Sequence, residues 1–166
     1  MPRGMGDGGL MNGSDYFGVF YPHNFLSVCA DEMTKKAAVI LGMREHIPEL
    51  ERIYETARTH LRASLIKGAV GEGDARRIPG TPNKLSGSTW GALMAHYPCD
   101  ILSADEPMLE NTFRHIEAHI SPSGQPIGNG WMPDGCWVAI SLDNLAMAHL
   151  ARGEGDRAAD YLYPAL

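Results

Sequence analysis

The chain has 166 residues, enough for one domain with its own core. Hydrophobic residues make up 44% and charged residues 20%, an ordinary globular balance, and the formal net charge of -6 without a basic stripe gives no support for a nucleic-acid partner. No apolar run approaches the ~18 residues of a membrane span, and "MPRGMGDGGLMNGSD" lacks the apolar stretch of a signal peptide, so we expect no membrane partner and a cytoplasmic setting.

Residues 1–16 are Gly-rich, have no hydrophobic period and read as a loop preceding a helical domain over 17–166. The first helix is expected from Phe25, with Asn24 as N-cap and Gly42 as the stop. Its core stripe is read as Leu26, Cys29, Ala30, Met33, Ala37, Ile40 and Leu41, opposite Ser27, Asp31, Thr34 and Lys35. Pro48 opens a second helix. Its stripe of Leu50, Ile53, Tyr54, Ala57, Leu61 and Leu65 faces inward, and Glu49, Glu51, Arg52, Glu55, Arg58 and Arg62 face solvent as far as Gly68.

The turn-rich stretch "GAVGEGDARRIPGTPNKLSGS" follows. A third helix is expected from Ser88 to the residue before Pro98, carrying Trp90, Leu93, Met94 and Tyr97. A fourth has Pro107 in its first turn and a stripe of Leu109, Phe113, Ile116 and Ile120. After a second long loop, "SPSGQPIGNGWMPDG", a fifth helix is expected over about Trp137 to Arg152. Only Ser141, Asp143, Asn144 and His149 interrupt its apolar surface, the mark of a helix buried all round. Gly153 stops it, and a sixth helix begins near Asp156.

The class is therefore all-α. Short turns pair helices one with two, three with four, and five with six as antiparallel hairpins. Long loops enter helices one, three and five, which are expected to form an inner layer with the loops gathered at their N-termini. Those ends suit polar or anionic ligand atoms. The hairpins recur at unequal intervals, unlike tetratricopeptide repeats at about 34 residues.

Three segments resemble a known family. "DYFGVFYPHNFLSVCADEMTKKAAVILGMREHIPELERIYETARTHLRASL" is similar to the aromatic-led inner helix, "LG" stop and outer helix of six-hairpin glycosidases. "YPCDILSADEPMLENTFRHIEAH" and "GNGWMPDGCWVAISLDNLAMAHLARGEGDRAADYL" resemble the same family. The resemblance implies an (α/α)6 toroid of glucoamylase-like and trehalase-like enzymes, of which this chain supplies about three hairpins, a partial ring. A second chain or a further segment would complete it.

Glycosidic bonds are broken by paired carboxyl groups, and sugar rings sit on aromatic faces. Asp134, between Trp131 and Trp137, is the first candidate acid, and Asp15, beside Tyr16 and Phe17, the second. In "PDG" an Asp also serves as an ordinary turn residue. Trp131, Trp137, Trp90 and Tyr16 are candidate sugar platforms, although Trp137 equally suits a core. Glu72 is a candidate substrate contact, with Asp74 near it in the same Gly-rich loop, and Arg76 and Arg77 read as solvated loop or as guides for an anionic sugar. "HIEAH" sets His115 and His119 four residues apart without the order of a zinc protease, on an expected outer helix, so no metal or other cofactor is expected.

The cysteines, Cys29, Cys99 and Cys136, are odd in number and far apart, which argues for buried or half-buried thiols over a disulfide framework. The rival function is a non-catalytic α-hairpin scaffold that binds a protein or peptide along a continuous groove.

Overall fold

The computed structural model describes residues 4–5, 17–18, 21–80, 91–120 and 138–163. Five α-helices account for most of them: α1 (Tyr21–Ile40), α2 (Ile47–Gly68), α3 (Pro107–Glu117), α4 (Val138–Ala151) and α5 (Gly155–Leu162). The class is all-α; the described residues add one two-residue antiparallel ladder, β1 (Gly4–Met5) with β2 (Phe17–Gly18), in register Gly4 to Gly18 and Met5 to Phe17, and an isolated bridge between Val70 and Arg77. The segment read as plain loop thus lends two residues to a strand pair.

Two hairpins share one construction. α1 packs on α2 and α4 packs on α5. Each first helix ends at a glycine in the left-handed region, Gly42 at φ 70° and Gly153 at φ 77°. In each, the residue after the glycine reaches back five positions to a helical carbonyl. Met43 N–H donates to Ala38 O at 2.9 Å, and Glu154 N–H donates to His149 O at 3.0 Å. This pairing of orphan carbonyls is the Schellman cap, and it needs a residue that tolerates positive φ.

The expected third helix is not an α-helix. Over its described part it is a 3-10 turn, Ala92–Ala95, followed by further turns to Cys99. Gly91 precedes it in the left-handed region at φ 69°, where a helix cannot continue. Short as it is, this segment lies centrally: it touches α1, α3 and α4, and Ala92, Leu93, Ala95, Cys99, Ile101 and Leu102 are all buried.

α1 starts at Tyr21, four residues before the expected Phe25, so Asn24 is not a cap but a buried residue inside the first turns. Its buried face is also different from the expected stripe. Tyr21, Phe25, Val28 and Ala38 are buried, whereas Leu26 is 42% exposed, Met33 47% and Ile40 83%. The helix is apolar on two faces, and hydrophobic spacing alone cannot choose between them. On α2 the expected stripe holds at Tyr54, Leu61 and Leu65, but Ile53 is exposed. On α3, Leu109, Phe113 and Ile116 are buried as expected.

α4 is not buried all round. Leu142, Leu145, Ala146, Ala148 and His149 face the core, while Asp143, Met147 and Leu150 are exposed. Asp143, Met147 and Leu150 border a groove whose other side is Ala158, Ala159 and Leu162 of α5.

The segment from Ala69 to Gly80 is held down by side chains. Thr112, fully buried on α3, donates Oγ1–H to Met108 O at 2.7 Å and accepts the Ile78 N–H at 3.0 Å. Asn111 Nδ2 donates to Arg76 O at 2.9 Å. Tyr21 N–H then donates to Gly80 O at 3.0 Å, bringing the segment to the start of α1. Thr112→Val keeps the shape and removes the acceptor, leaving a buried amide unpaired. Urea unfolding of this variant is expected to show a loss of about 1–3 kcal/mol, with Thr112→Ser close to wild type.

Candidate functional site

Six of the seven candidate site residues, Asp15, Tyr16, Trp90, Trp131, Asp134 and Trp137, lie outside the described residues. Glu72 is described. It is exposed, in extended conformation, just ahead of the 3-10 turn Gly73–Ala75. Asp74 is exposed in that turn. Arg76 is half-buried and donates through Nη2 to Ile66 O, a carbonyl near the C-terminal end of α2. Val70 and Arg77 close the loop base by exchanging backbone hydrogen bonds of 3.1 and 2.8 Å.

The expected free N–H groups at inner-helix starts are only partly available. The first amide of α1, Tyr21 N–H, is taken by Gly80 O. The Tyr21 hydroxyl is also occupied, donating to Ser64 O at 2.8 Å; burial raises its pKa, against the lowering effect of its hydrogen bond to Ser64.

Among the described residues, a dense array of polar groups lies where α3, α4 and α5 meet. His149 on α4 is fully buried. Its Nδ1 lies 2.6 Å from Glu154 Oε2 and its Nε2 lies 3.0 Å from Glu117 Oε1. The ring stacks on Tyr161 of α5, centroids 5.4 Å apart, and is tilted against Phe113 of α3 at 4.7 Å. Both ring nitrogens face carboxylate oxygens, an arrangement that a ring donating from both nitrogens satisfies.

Glu117 collects the other donors. Its Oε1 accepts from Tyr161 Oη–H at 3.0 Å and from Arg157 Nη2. Burial pushes the Glu117 pKa up, but the hydrogen bonds from His149 and Tyr161 and the charge of Arg157 outweigh it and hold the carboxyl below its ordinary range. Arg152 adds a second tie. It bonds Glu110 of α3 at 3.0 Å and Glu154 at 3.1 Å, and its guanidinium lies 4.8 Å from the centre of the Phe113 ring.

This array is an interlock between helices. His149 has carboxylates on both nitrogens, and Glu117 Oε1 accepts three donors, so these groups are engaged with one another. In sequence, the array could have been suspected from His149, a polar residue on an otherwise apolar helix, with a carboxylate just past the glycine stop. The spacing gave no hint that Glu117, inside "HIEAH", is its partner.

The two histidines of "HIEAH" do meet, with ring centroids 4.6 Å apart. His119 Nδ1 is 2.7 Å from His115 O, and burial, reinforced by the charges of Arg77 and His119, lowers His115 to about 4. Among the described residues no group of three or more His, Cys, Asp or Glu could hold a metal ion. No helix among them is long and apolar enough to cross a membrane.

Because the folded pKa of Glu117 lies below the ordinary 4.5, its contribution to stability is complete above that value and is lost as pH falls through the folded pKa. Glu117→Gln removes the charge but keeps the shape. It is expected to lower stability by about 2–3 kcal/mol at neutral pH in urea unfolding and to flatten the acid limb of a stability–pH profile. Comparison with known proteins adds no family to this picture: no protein-family model, no curated protein and no solved structure matches the chain.

Proposed function

We propose that the chain is a carbohydrate-active protein of the six-hairpin glycosidase type. It contributes part of a ring of helical hairpins and hydrolyses a glycosidic bond with a carboxyl group as general acid. Asp134 and Asp15 are the acid and its counterpart, and Trp131, Trp137, Trp90 and Tyr16 are the sugar platforms, with Glu72 as a further contact.

One observation carries the reading. The first helix of each described hairpin, α1 and α4, leaves large apolar side chains exposed outside the buried core. On α1 these are Leu26 and Met33, and on α4 they are Met147 and Leu150, which border the groove toward α5. A helix that stands between a hairpin partner and further helices needs apolar residues on more than one side. An inner helix of a hairpin ring has that environment, and its outer partner does not. α2 fits the outer role, with Glu49, Glu51, Arg52 and Glu55 all exposed. In this reading a second chain or a further segment supplies the remaining hairpins.

A binding scaffold is the alternative, and one feature favours it. A groove of about 450 Å³ between α4 and α5, lined by Ala146, Met147, Leu150, Ala158 and Leu162, has the apolar character of a helix-docking site.

A panel of oligosaccharides separates the two. The wild-type chain is expected to bind at least one glycan. Trp131→Ala weakens that binding about tenfold through loss of an aromatic platform. Asp134→Asn retains binding and loses hydrolysis. Glycan binding and turnover unchanged in both variants would remove the proposed site, and a wild-type chain that binds no glycan would favour the scaffold.

A further inference from the structure

Cys29 and Cys99 lie far apart in sequence but meet in space. Cys29 is half-buried on α1, and Cys99 is buried in the turns that follow Ala92–Ala95. Both are free thiols. Cys29 packs against the core cluster that contains Cys99. Its Sγ donates to the carbonyl of Pro98, the residue preceding Cys99, at 3.9 Å, which sets the Cys29 sulfur against the Pro98–Cys99 peptide.

From this contact we propose that Cys29 and Cys99 form a thiol–disulfide exchange site, at which a low-molecular-weight disulfide oxidises the pair to an intramolecular bond between α1 and the central turn segment. This inference does not depend on the carbohydrate reading.

The two cysteines have different parts because their surroundings differ. Cys29 reaches solvent and is the attacking thiol. Burial, and secondarily the neighbouring Cys29, push the Cys99 thiol up to about 12, so it is shielded and a poor nucleophile on its own. In the first step the Cys29 thiolate attacks one sulfur of the small disulfide RSSR. A Cys29–SR mixed disulfide forms and RS⁻ leaves, taking up the proton Cys29 gave to solvent. In the second step Cys99 loses its proton and attacks Cys29 Sγ, releasing the second RS⁻, which is protonated to RSH. The balance is two protein thiols plus RSSR giving one protein disulfide plus two RSH. Contact makes the second step intramolecular, which offsets the weak nucleophilicity of Cys99. Rotation about the side-chain bonds has to bring the sulfurs to the ~2 Å of an S–S bond.

The test uses the full chain with Cys136→Ser, which leaves only the two thiols in question. The folded protein is treated with oxidised glutathione, quenched with acid and alkylated, and its intact mass and peptide map are read. The expected product has lost two hydrogen atoms, takes up no alkylating agent, and yields a Cys29–Cys99 linked peptide. Its thermal midpoint is expected to rise by about 5–10 °C and to return on reduction. Adding Cys29→Ser should abolish the reaction of the folded chain, whereas adding Cys99→Ala should stop it at a glutathione adduct on Cys29. Two results would overturn the proposal: a Cys136→Ser product that carries glutathione on Cys29 with Cys99 still free, or a folded chain that stays fully reduced while the urea-unfolded chain oxidises.

Discussion

Irregular backbone at the centre of a protein is tolerated only where its polar groups find partners. That constraint organises this chain, because the segment that touches α1, α3 and α4 is the string of turns beginning at Ala92 and not a helix. Its carbonyls are met from two sides. Within the segment, Ile101 and Leu102 N–H both donate to Ala95 O at 2.8 Å. From outside, Arg58 Nη2 donates to Asp100 O at 3.2 Å and Arg62 Nη1 to Ile101 O at 3.2 Å. Arg62 also pairs with Glu106 at 2.7 Å, just before α3 begins. Two arginines that read as solvent-facing on α2 therefore tie the first hairpin to the central segment and to the entry of α3.

The second hairpin is fastened by a different kind of contact. His149, Glu154 and Arg152 at the end of α4, with Arg157 and Tyr161 on α5, converge on Glu117 and Glu110 of α3. Buried ionic groups are costly to desolvate, so such an array adds less net stability than its contact distances suggest. What it supplies is geometry: one arrangement of three helices brings these donors and acceptors together. The two hairpins thus meet the middle of the molecule by polar contacts that are specific in direction, over a core of Phe25, Leu65, Leu93, Leu109, Phe113 and Leu145 that is not.

The proposed function leans on the apolar residues exposed on α1 and α4. Single exposed apolar residues are ordinary on any protein. They occur on α1 and α4, which end in the same glycine cap, and also on the partner helices, at Ile53 and Ile66 of α2 and Leu162 of α5. In the proposed ring, those on α1 and α4 would be buried against neighbouring units, as in other assemblies of repeated hairpins.

Local chemistry was legible in the sequence wherever one short-range rule decides. Gly42 and Gly153 marked the helix stops, Pro48 and Pro107 the helix starts, and the stripe Leu109, Phe113 and Ile116 the buried face of α3. These features depend on backbone sterics and on the 3.6-residue period, both properties of a few neighbouring residues. Tertiary structure alone decided which of two apolar faces of α1 is buried, that the expected third helix is a 3-10 turn over its described part, that Arg58 and Arg62 serve carbonyls, and that Cys29 lies against the Pro98–Cys99 peptide. It also joined Glu117 to His149 across separate helices. Each of those outcomes is set by a partner distant in sequence, and residue spacing along one helix carries no record of what approaches it from another.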